Sequence, residues 1–140
     1  MTPEQVSSVQ QSFAKVVPIA DTAAEIFYDR LFAIAPETRA LFAEDMAEQR
    51  RKLITMLAAV VNGLGNLDAI LPVASALAKR HVGYGVTASH YKQVGEALLW
   101  TLQRGLGSAW TADVAAAWAA AYATLSEYMI GEARSVGAAA

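Results

Sequence analysis

The stretch that decides the fold is Leu77-Ala78-Lys79-Arg80-His81-Val82-Gly83-Tyr84-Gly85-Val86. Leu77 and His81 are one helical turn apart, so their side chains lie on the same face of a helix. Gly83 and Gly85 interrupt the helical pattern directly after the histidine. The stretch therefore predicts an amphipathic helix that ends just beyond His81 and presents its imidazole beside an apolar side chain.

Apolar residues recur at helical spacing on both sides of this stretch, and the sequence shows no alternating strand pattern. The first helix is predicted to begin with Thr2 as its N-cap, Pro3 at its first position and Gln5 completing a capping box. Further segments before the histidine are predicted over residues 19–34, 36–42, 46–62 and 67 or 71 to 81.

Two polar residues mark helix starts later in the chain. Ser89 is predicted to cap a helix over residues 90–106, and Thr111 is predicted to cap the last helix. All of these segments are amphipathic and are joined by short connections. The sequence therefore predicts an all-α fold of about seven to eight helices, in a single domain that covers residues 1–140.

The composition excludes several classes of site and partner. The sequence has no Cys, which excludes disulfides, thiolate nucleophiles, iron–sulfur clusters and cysteine-based zinc sites. The net charge is -2 and basic residues cluster only at residues 50–52 and 79–80, so no nucleic-acid surface is expected. No apolar run reaches the roughly 18 to 20 residues that span a bilayer, and no basic segment precedes an apolar one at the N-terminus. We therefore expect a cytoplasmic protein without a membrane partner.

Two histidines are the first candidate metal ligands of a chain without Cys. Haem iron takes an axial ligand from His, Cys, Met or Tyr. His81 follows an apolar helical stripe, whereas His90 lies between Ser89 and Tyr91 at a helix start, where solvation is the simpler interpretation. A lone helical histidine usually binds no metal, so the assignment of His81 as an iron ligand depends on the residues that would face it.

Tyr28 and Gln49 lie on two earlier predicted helices that can bring their polar tips to the opposite side of a flat ligand. One nitrogen ligand on one side and two hydrogen-bonding groups on the other suit ferrous haem that holds a diatomic gas. The Tyr28 O–H can donate to bound dioxygen, which carries negative charge, and the Gln49 amide can donate to the gas or orient Tyr28. The alternatives are a core tyrosine and a surface glutamine.

Several motifs follow one another in the order that a known family shows. They are Phe27-Tyr28-Asp29-Arg30-Leu31-Phe32, Ala35-Pro36-Glu37-Thr38-Arg39-Ala40-Leu41-Phe42, the histidine at 81, Tyr91-Lys92-Gln93-Val94-Gly95-Glu96-Ala97-Leu98-Leu99, Ala117-Trp118 and Ala121-Tyr122. The chain resembles the globin family, and specifically the single-domain bacterial globins related to the haem domain of flavohaemoglobins. This resemblance implies a globin fold, a haem b cofactor, His81 as the proximal ligand and Tyr28 as the distal tyrosine.

Further residues are candidates for contact with the haem. Phe42 and Leu53 are expected to be core residues that also face the porphyrin, and Leu77 is expected to press on the porphyrin one turn before the ligand. Lys52 is a candidate partner for a haem propionate, with a solvated side chain as the equal alternative. Arg80, beside the ligand, is a weaker candidate for the same role.

Tyr91 follows His81 by ten residues and is a candidate to brace the imidazole through a second-shell hydrogen bond. The resembling haem domains place a glutamate on the last helix as the partner of this tyrosine. Here the equivalent position is Ala133, while Glu132 lies one residue early and about 100° round the helix. The proximal side of this chain therefore departs from the family pattern.

The expected function is reversible, high-affinity binding of dioxygen, with nitric oxide and carbon monoxide as further ligands. The resemblance implies that held dioxygen can react with nitric oxide, with Tyr28 and Gln49 as the catalytic residues. A separate reductase would be needed, because no dinucleotide-binding motif is present. The alternatives are a gas or redox sensor, in which Tyr28 or Lys52 ligates the iron at rest, and a cofactor-free helical domain.

Overall fold

A computed structural model of the chain describes the backbone of residues 1–139 and the side chains of residues 1–134. Six α-helices occupy most of this part: α1 (Pro3–Val16), α2 (Ala20–Ile34), α3 (Ala47–Gly63), α4 (Leu67–Gly83), α5 (Ala88–Leu106) and α6 (Ala112–Ala139). Three short 3-10 helices lie between them, at Val17–Ile19, Pro36–Leu41 and Gly107–Ala109.

The all-α prediction is confirmed, although residues 1–139 contain six α-helices and not seven or eight. The predicted segment over residues 36–42 accounts for the difference, because Pro36–Leu41 forms a 3-10 helix. Short connecting segments commonly adopt this tighter helix, which needs fewer residues per turn than an α-helix.

The start of α1 follows the predicted capping box. The Thr2 hydroxyl accepts from the Gln5 backbone N–H at 3.1 Å, and the Gln5 side-chain oxygen accepts from the Thr2 backbone N–H at 3.0 Å. The predicted cap of α6 is also confirmed, since the Thr111 hydroxyl accepts from the Val114 N–H at 3.2 Å. Each bond satisfies a backbone donor that the helix leaves without a partner.

The predicted start of α5 was wrong by two residues. Thr87, and not Ser89, is the N-cap, and α5 begins at Ala88. His90 takes the place of the usual glutamate in the capping box, because its Nδ1 accepts from the Thr87 N–H at 2.9 Å. The His90 ring therefore serves the helix start and stays partly exposed.

The core lies where α6 packs against α1 and α4, and where α2 packs against α5. Val9 of α1 and Leu31 of α2 are fully buried within it. The Trp118 indole N–H of α6 donates to the Ser12 hydroxyl of α1 at 2.8 Å, in a buried bond between the first and last helices. This bond removes the cost of burying an indole N–H without a partner.

The turn between α4 and α5 keeps the end of one helix close to the start of the next. Gly85 has a φ of 87°, a left-handed conformation that glycine adopts without strain. The Val86 N–H donates back to the His81 carbonyl at 3.0 Å. A Cβ atom at Gly85 would lie 3.9 Å from Leu41 Cδ2, so the segment that leads to Phe42 borders this turn.

Within the described part of the chain, no helix combines the length and the apolar character needed to cross a membrane.

Candidate functional site

Tyr28 and Gln49, which the sequence assigns to one side of the site, are in direct contact. The Gln49 amide Nε2 donates to the Tyr28 Oη at 3.1 Å, which joins α3 to α2. The Tyr28 side chain is only 5% exposed. We call these two residues the distal pair.

The hydrogen bond of the distal pair determines what the tyrosine can do. Gln49 supplies the donor, so the Tyr28 O–H proton remains free to donate to a third group. Burial raises the pKa of Tyr28, and the smaller effect of the Gln49 bond opposes that rise. The hydroxyl therefore stays protonated at neutral pH and keeps its donor.

Aromatic rings fix the orientation of Tyr28. Its ring packs edge-on against Phe27 at 4.9 Å and against Phe42 at 5.4 Å between centroids. Phe32 completes the cluster at 5.7 Å from Phe42. The structure thus places Phe42 beside the distal pair. Its contact with the porphyrin stays a prediction.

Arg39 holds the corner that carries Phe42, and sequence reasoning did not single it out. Its guanidinium donates to the carbonyls of Ala43 at 2.9 Å and Glu44 at 3.0 Å, and lies 5.3 Å from the centre of the Phe32 ring. An arginine after Pro36 in a polar corner is the only signal that the sequence offers for this role.

His81 is held in the tautomer that suits a metal ligand. Its Nδ1 lies 2.7 Å from the Leu77 carbonyl, which can only accept, so Nδ1 carries the proton and Nε2 keeps a free lone pair. Burial lowers the pKa of His81; the bond to Leu77 opposes this effect and the nearby Arg80 charge adds to it. The imidazole is therefore neutral at neutral pH, as metal coordination requires.

Tyr91 lies beside the imidazole but contacts it differently from our prediction. The two rings are stacked, with centroids 6.2 Å apart and planes 24° apart, and Tyr91 is 7% exposed. The expected second-shell bond is not formed, because the Tyr91 hydroxyl is buried without a hydrogen-bond partner among the described side chains. We call His81 and Tyr91 the proximal pair.

Two residues that the sequence analysis did not assign lie near Tyr91: Tyr122 on α6 contacts it directly, and Gly95 on α5 contacts Tyr122. The Tyr122 hydroxyl of α6 donates to the Tyr91 backbone carbonyl. The Tyr122 ring lies against Gly95, where a Cβ atom would come within 2.6 Å of Tyr122 Cε2. A glycine in the interior of a helix was the available signal, because such a glycine destabilises the helix unless something packs against it.

Leu53 and Leu77 are half-buried and pack against the core. Their expected contact with the porphyrin stays a prediction. Leu53 also lines an apolar cavity of about 90 Å³ together with Phe27, Leu57 and Leu98. Phe27 also packs against Tyr28, so this apolar cavity lies next to the distal pair.

The charged candidates lie on the surface. Lys52 forms an ion pair with Glu48 at 3.5 Å, and the two side chains are 67% and 73% exposed. Exposed pairs of this kind contribute little to stability, typically 0 to about 1 kcal/mol. Arg80 is exposed as well. The pairing of Lys52 or Arg80 with a haem propionate stays a prediction.

The residues present fit a haem group better than a bare ion. The described residues contain no cluster of three His, Asp or Glu side chains that could hold a metal ion unaided. One neutral imidazole with a free Nε2 suffices when a porphyrin supplies the other nitrogens. The buried O–H donor of Tyr28 and the aromatic rings around it suit a small ligand that accepts a hydrogen bond.

Comparison with known proteins agrees with this geometry. A family model described as Globin matches residues 25–129, which is more than half of the chain. The flavohemoprotein of Bordetella parapertussis is 38% identical over 117 residues, covering 81% of this chain and 29% of its own length. The chain therefore spans less than a third of the length of that relative.

Two solved structures superpose on nearly the whole chain. An engineered carbene transferase from Rhodothermus marinus, whose name also proposes nitric oxide dioxygenase activity, has a TM-score of 0.88 at 27% identity and covers 99% of this chain and 97% of its own. A bacterial globin from Campylobacter jejuni has a TM-score of 0.85 at 22% identity, with coverage of 96% and 98%. The second likeness concerns the fold.

Proposed function

The chain belongs to the globin family, and from that premise we propose that it binds dioxygen and other diatomic gases reversibly and with high affinity at haem b. Haem is its cofactor, which agrees with the family model and with the flavohemoprotein relatives. When bound, ferrous haem would supply an iron centre that binds a diatomic gas, and His81 is the residue that would hold the iron.

The hydrogen bond from Gln49 to Tyr28 is the observation that carries the proposal. Because the glutamine donates, the Tyr28 O–H is directed away from Gln49 and is free to donate to a held gas molecule. Bound dioxygen carries negative charge, and a charge-assisted bond inside an apolar pocket is stronger than a neutral one. Dioxygen should therefore be released slowly.

His81 would provide the attachment to the haem. Its Nδ1–H bond to the Leu77 carbonyl fixes the ring and leaves Nε2 available to the iron. Leu77 lies one turn before His81 and offers an apolar surface to the porphyrin. The chain's own residues thus provide a histidine for the iron, an apolar surface for the porphyrin and a hydrogen-bond donor for the gas.

We further propose that held dioxygen reacts with nitric oxide, with electrons from a separate reductase. The flavohemoprotein relatives and the name of the Rhodothermus marinus protein support this reaction. The matched region is about 29% of the Bordetella protein, so the activity of that whole protein is a proposal for this chain. For the sensor alternative, the exposed ion pair of Lys52 with Glu48 gives no support to Lys52 as an iron ligand.

The test is the rate of dioxygen dissociation, measured by stopped flow on the haem-loaded protein. Tyr28→Phe keeps the ring and removes the donor, so release should become at least roughly tenfold faster, which corresponds to about 1.4 kcal/mol. Tyr128→Phe is the matched control, because it removes the hydroxyl of a half-buried tyrosine on α6. An unchanged rate in Tyr28→Phe would show that this hydroxyl does not hold the gas.

A further inference from the structure

The surface where α2 packs against α5 carries two arginines that share one tryptophan ring. The Arg30 guanidinium of α2 lies 3.9 Å from the centre of the Trp100 ring, and the Arg104 guanidinium of α5 lies 4.2 Å from it. The two guanidinium carbons are therefore no more than about 8 Å apart. Among the described side chains neither arginine forms an ion pair. The indole thus holds two like charges close together and limits the directions in which they point.

The other edge of the exposed face of α2 carries three carboxylates. Asp21, Glu25 and Asp29 are exposed and follow one another at intervals of four residues, so they form one row about 12 Å long. Arg30 lies about 100° further round the helix than Asp29. None of the three carboxylates forms an ion pair within the described part of the chain. One surface of the molecule therefore has a positive edge and a negative edge that do not neutralise each other.

The residues between the two edges allow a second helix to come close. Thr22 and Ala33 are exposed and Ile26 is half-buried, and all three lie between the acidic row and Arg30 around the axis of α2. None of them carries a charge, and two of the three are small. We call the whole surface the α2–α5 face, which consists of a negative edge, this uncharged centre and a positive edge formed by Arg30, Trp100 and Arg104.

The charges on the two edges also correspond along the length of α2. Gly105 of α5 borders the 3-10 helix that precedes α2, so the end of α5 lies beside the start of α2. Arg104 is therefore closer to the start of α2 than Arg30 is. Glu25 is likewise one turn closer to that start than Asp29 is. Each positive charge thus has a negative counterpart at a similar height on the opposite edge.

We propose that the α2–α5 face is the contact between two copies of this chain, related by a two-fold axis that runs parallel to α2. Rotation about that axis turns the face over and exchanges its edges, so the positive edge of each copy meets the negative edge of the other. Arg30 then faces Asp29 of the second copy, and Arg104 faces Glu25 of the second copy. Each contact occurs twice, as in every isologous two-fold interface.

The charges favour a second copy over a partner of a single charge sign. A purely acidic partner would be attracted by the arginines but repelled by the acidic row, and a purely basic partner would meet the reverse. A surface with both edges matches both, and the chain itself supplies one. Trp and Arg also contribute most at protein–protein interfaces, and the stacking of Arg30 and Arg104 on Trp100 reduces the side-chain freedom that is lost on association.

The experiment measures the mass of the haem-loaded chain by sedimentation velocity from micromolar to millimolar concentration, and the parent should form a dimer. Arg30→Glu/Arg104→Glu reverses the positive edge, and Glu25→Lys/Asp29→Lys reverses the negative edge. Each double variant alone should self-associate at least roughly tenfold more weakly than the parent, because like charges then face each other. Circular dichroism verifies that the variants fold. A parent that stays monomeric throughout would overturn the proposal.

An equimolar mixture of the two double variants provides the decisive comparison. One copy then has two negative edges and the other has two positive edges, so the mixture should form a heterodimer and recover the parent affinity. Lys79→Glu/Arg134→Glu is the control, because it changes the net charge by the same amount as the arginine variant at exposed positions of α4 and α6. The control should dimerise as the parent does. A mixture that stays monomeric, or a control as weak as the variants, would contradict the contact.

A cross-link tests the direction of the axis without reversing any charge. The chain has no Cys, so Thr22→Cys introduces a single thiol at the centre of the α2–α5 face. Next to an axis parallel to α2 this thiol lies opposite its own copy, within the roughly 7 Å between Cα atoms that a disulfide can bridge. Mild oxidation should therefore give a covalent dimer.

Thr124→Cys, at an exposed position of α6, is the control for the cross-link and should give no covalent dimer. Absence of the cross-link in Thr22→Cys, or equal cross-linking in both variants, would overturn the proposed arrangement. Neither the mass nor the cross-link depends on gas binding. Failure of the dimer would therefore leave the proposed function intact, and failure of gas binding would leave the dimer intact.

Discussion

In the distal pair one side chain donates to another, whereas the proximal pair is held by bonds to backbone carbonyls. Gln49 donates to Tyr28 at 3.1 Å, but His81 donates to the Leu77 carbonyl at 2.7 Å and Tyr91 is held through its own carbonyl. A side-chain bond can be altered by one substitution without moving a helix. Backbone bonds tie the proximal pair to the fold itself, so we expect distal changes to alter gas kinetics and proximal changes to alter haem attachment.

The largest effect should follow loss of the proximal imidazole. His81→Ala removes the only assigned iron ligand, so stable haem attachment should be lost, as measured by the Soret band after reconstitution and gel filtration. His90→Gln is the control, because it removes the other imidazole and keeps an acceptor for the Thr87 N–H. Retention of normal haem affinity in His81→Ala would show that His81 is not the iron ligand and that the proximal side does not control haem attachment.

A smaller effect should follow on the distal side. Gln49→Leu removes the donor to Tyr28 while preserving bulk, so dioxygen release should accelerate by less than in Tyr28→Phe, because the tyrosine O–H remains. Stopped flow measures the rate, and Gln103→Leu, exposed on α5, serves as the control. Slower release in Gln49→Leu would contradict its contribution as a donor or as the group that orients Tyr28.

The smallest effect should come from the charged surface. Lys52→Ala breaks an exposed pair with Glu48, so haem affinity and gas release should both stay within about twofold of the parent values, which is less than 0.5 kcal/mol. Glu48→Ala breaks the same pair from the other end. A large loss of haem affinity in Lys52→Ala alone would instead identify Lys52 as a propionate partner.

Local signals predicted much of the fold. The capping residues Thr2 and Thr111 act within three residues of their targets, so the sequence alone identifies them. The choice of Thr87 over Ser89 depended on His90 acting as an unusual capping-box residue, which residue preferences do not anticipate. Helical spacing likewise could not distinguish a 3-10 helix from an α-helix over residues 36–41.

The site divides in the same way. Helix faces and the resemblance were enough to bring Tyr28 and Gln49 together, although they are 21 residues apart. The contact of Tyr122 with Tyr91 and Gly95 depends on how α6 lies across α5, and periodicity within one helix carries no information about that crossing. The hydrogen bond that holds the Tyr91 backbone could therefore not be predicted from the sequence.

The bond between Ser12 and Trp118 joins residues 106 positions apart. The ribosome synthesises α1 long before α6. The apolar face of α1 that packs against α6 therefore stays uncovered while the intervening helices are made. Long-range contacts of this kind form late and cooperatively. A nascent chain that stalls before Trp118 should therefore expose the apolar face of α1 and be prone to aggregation.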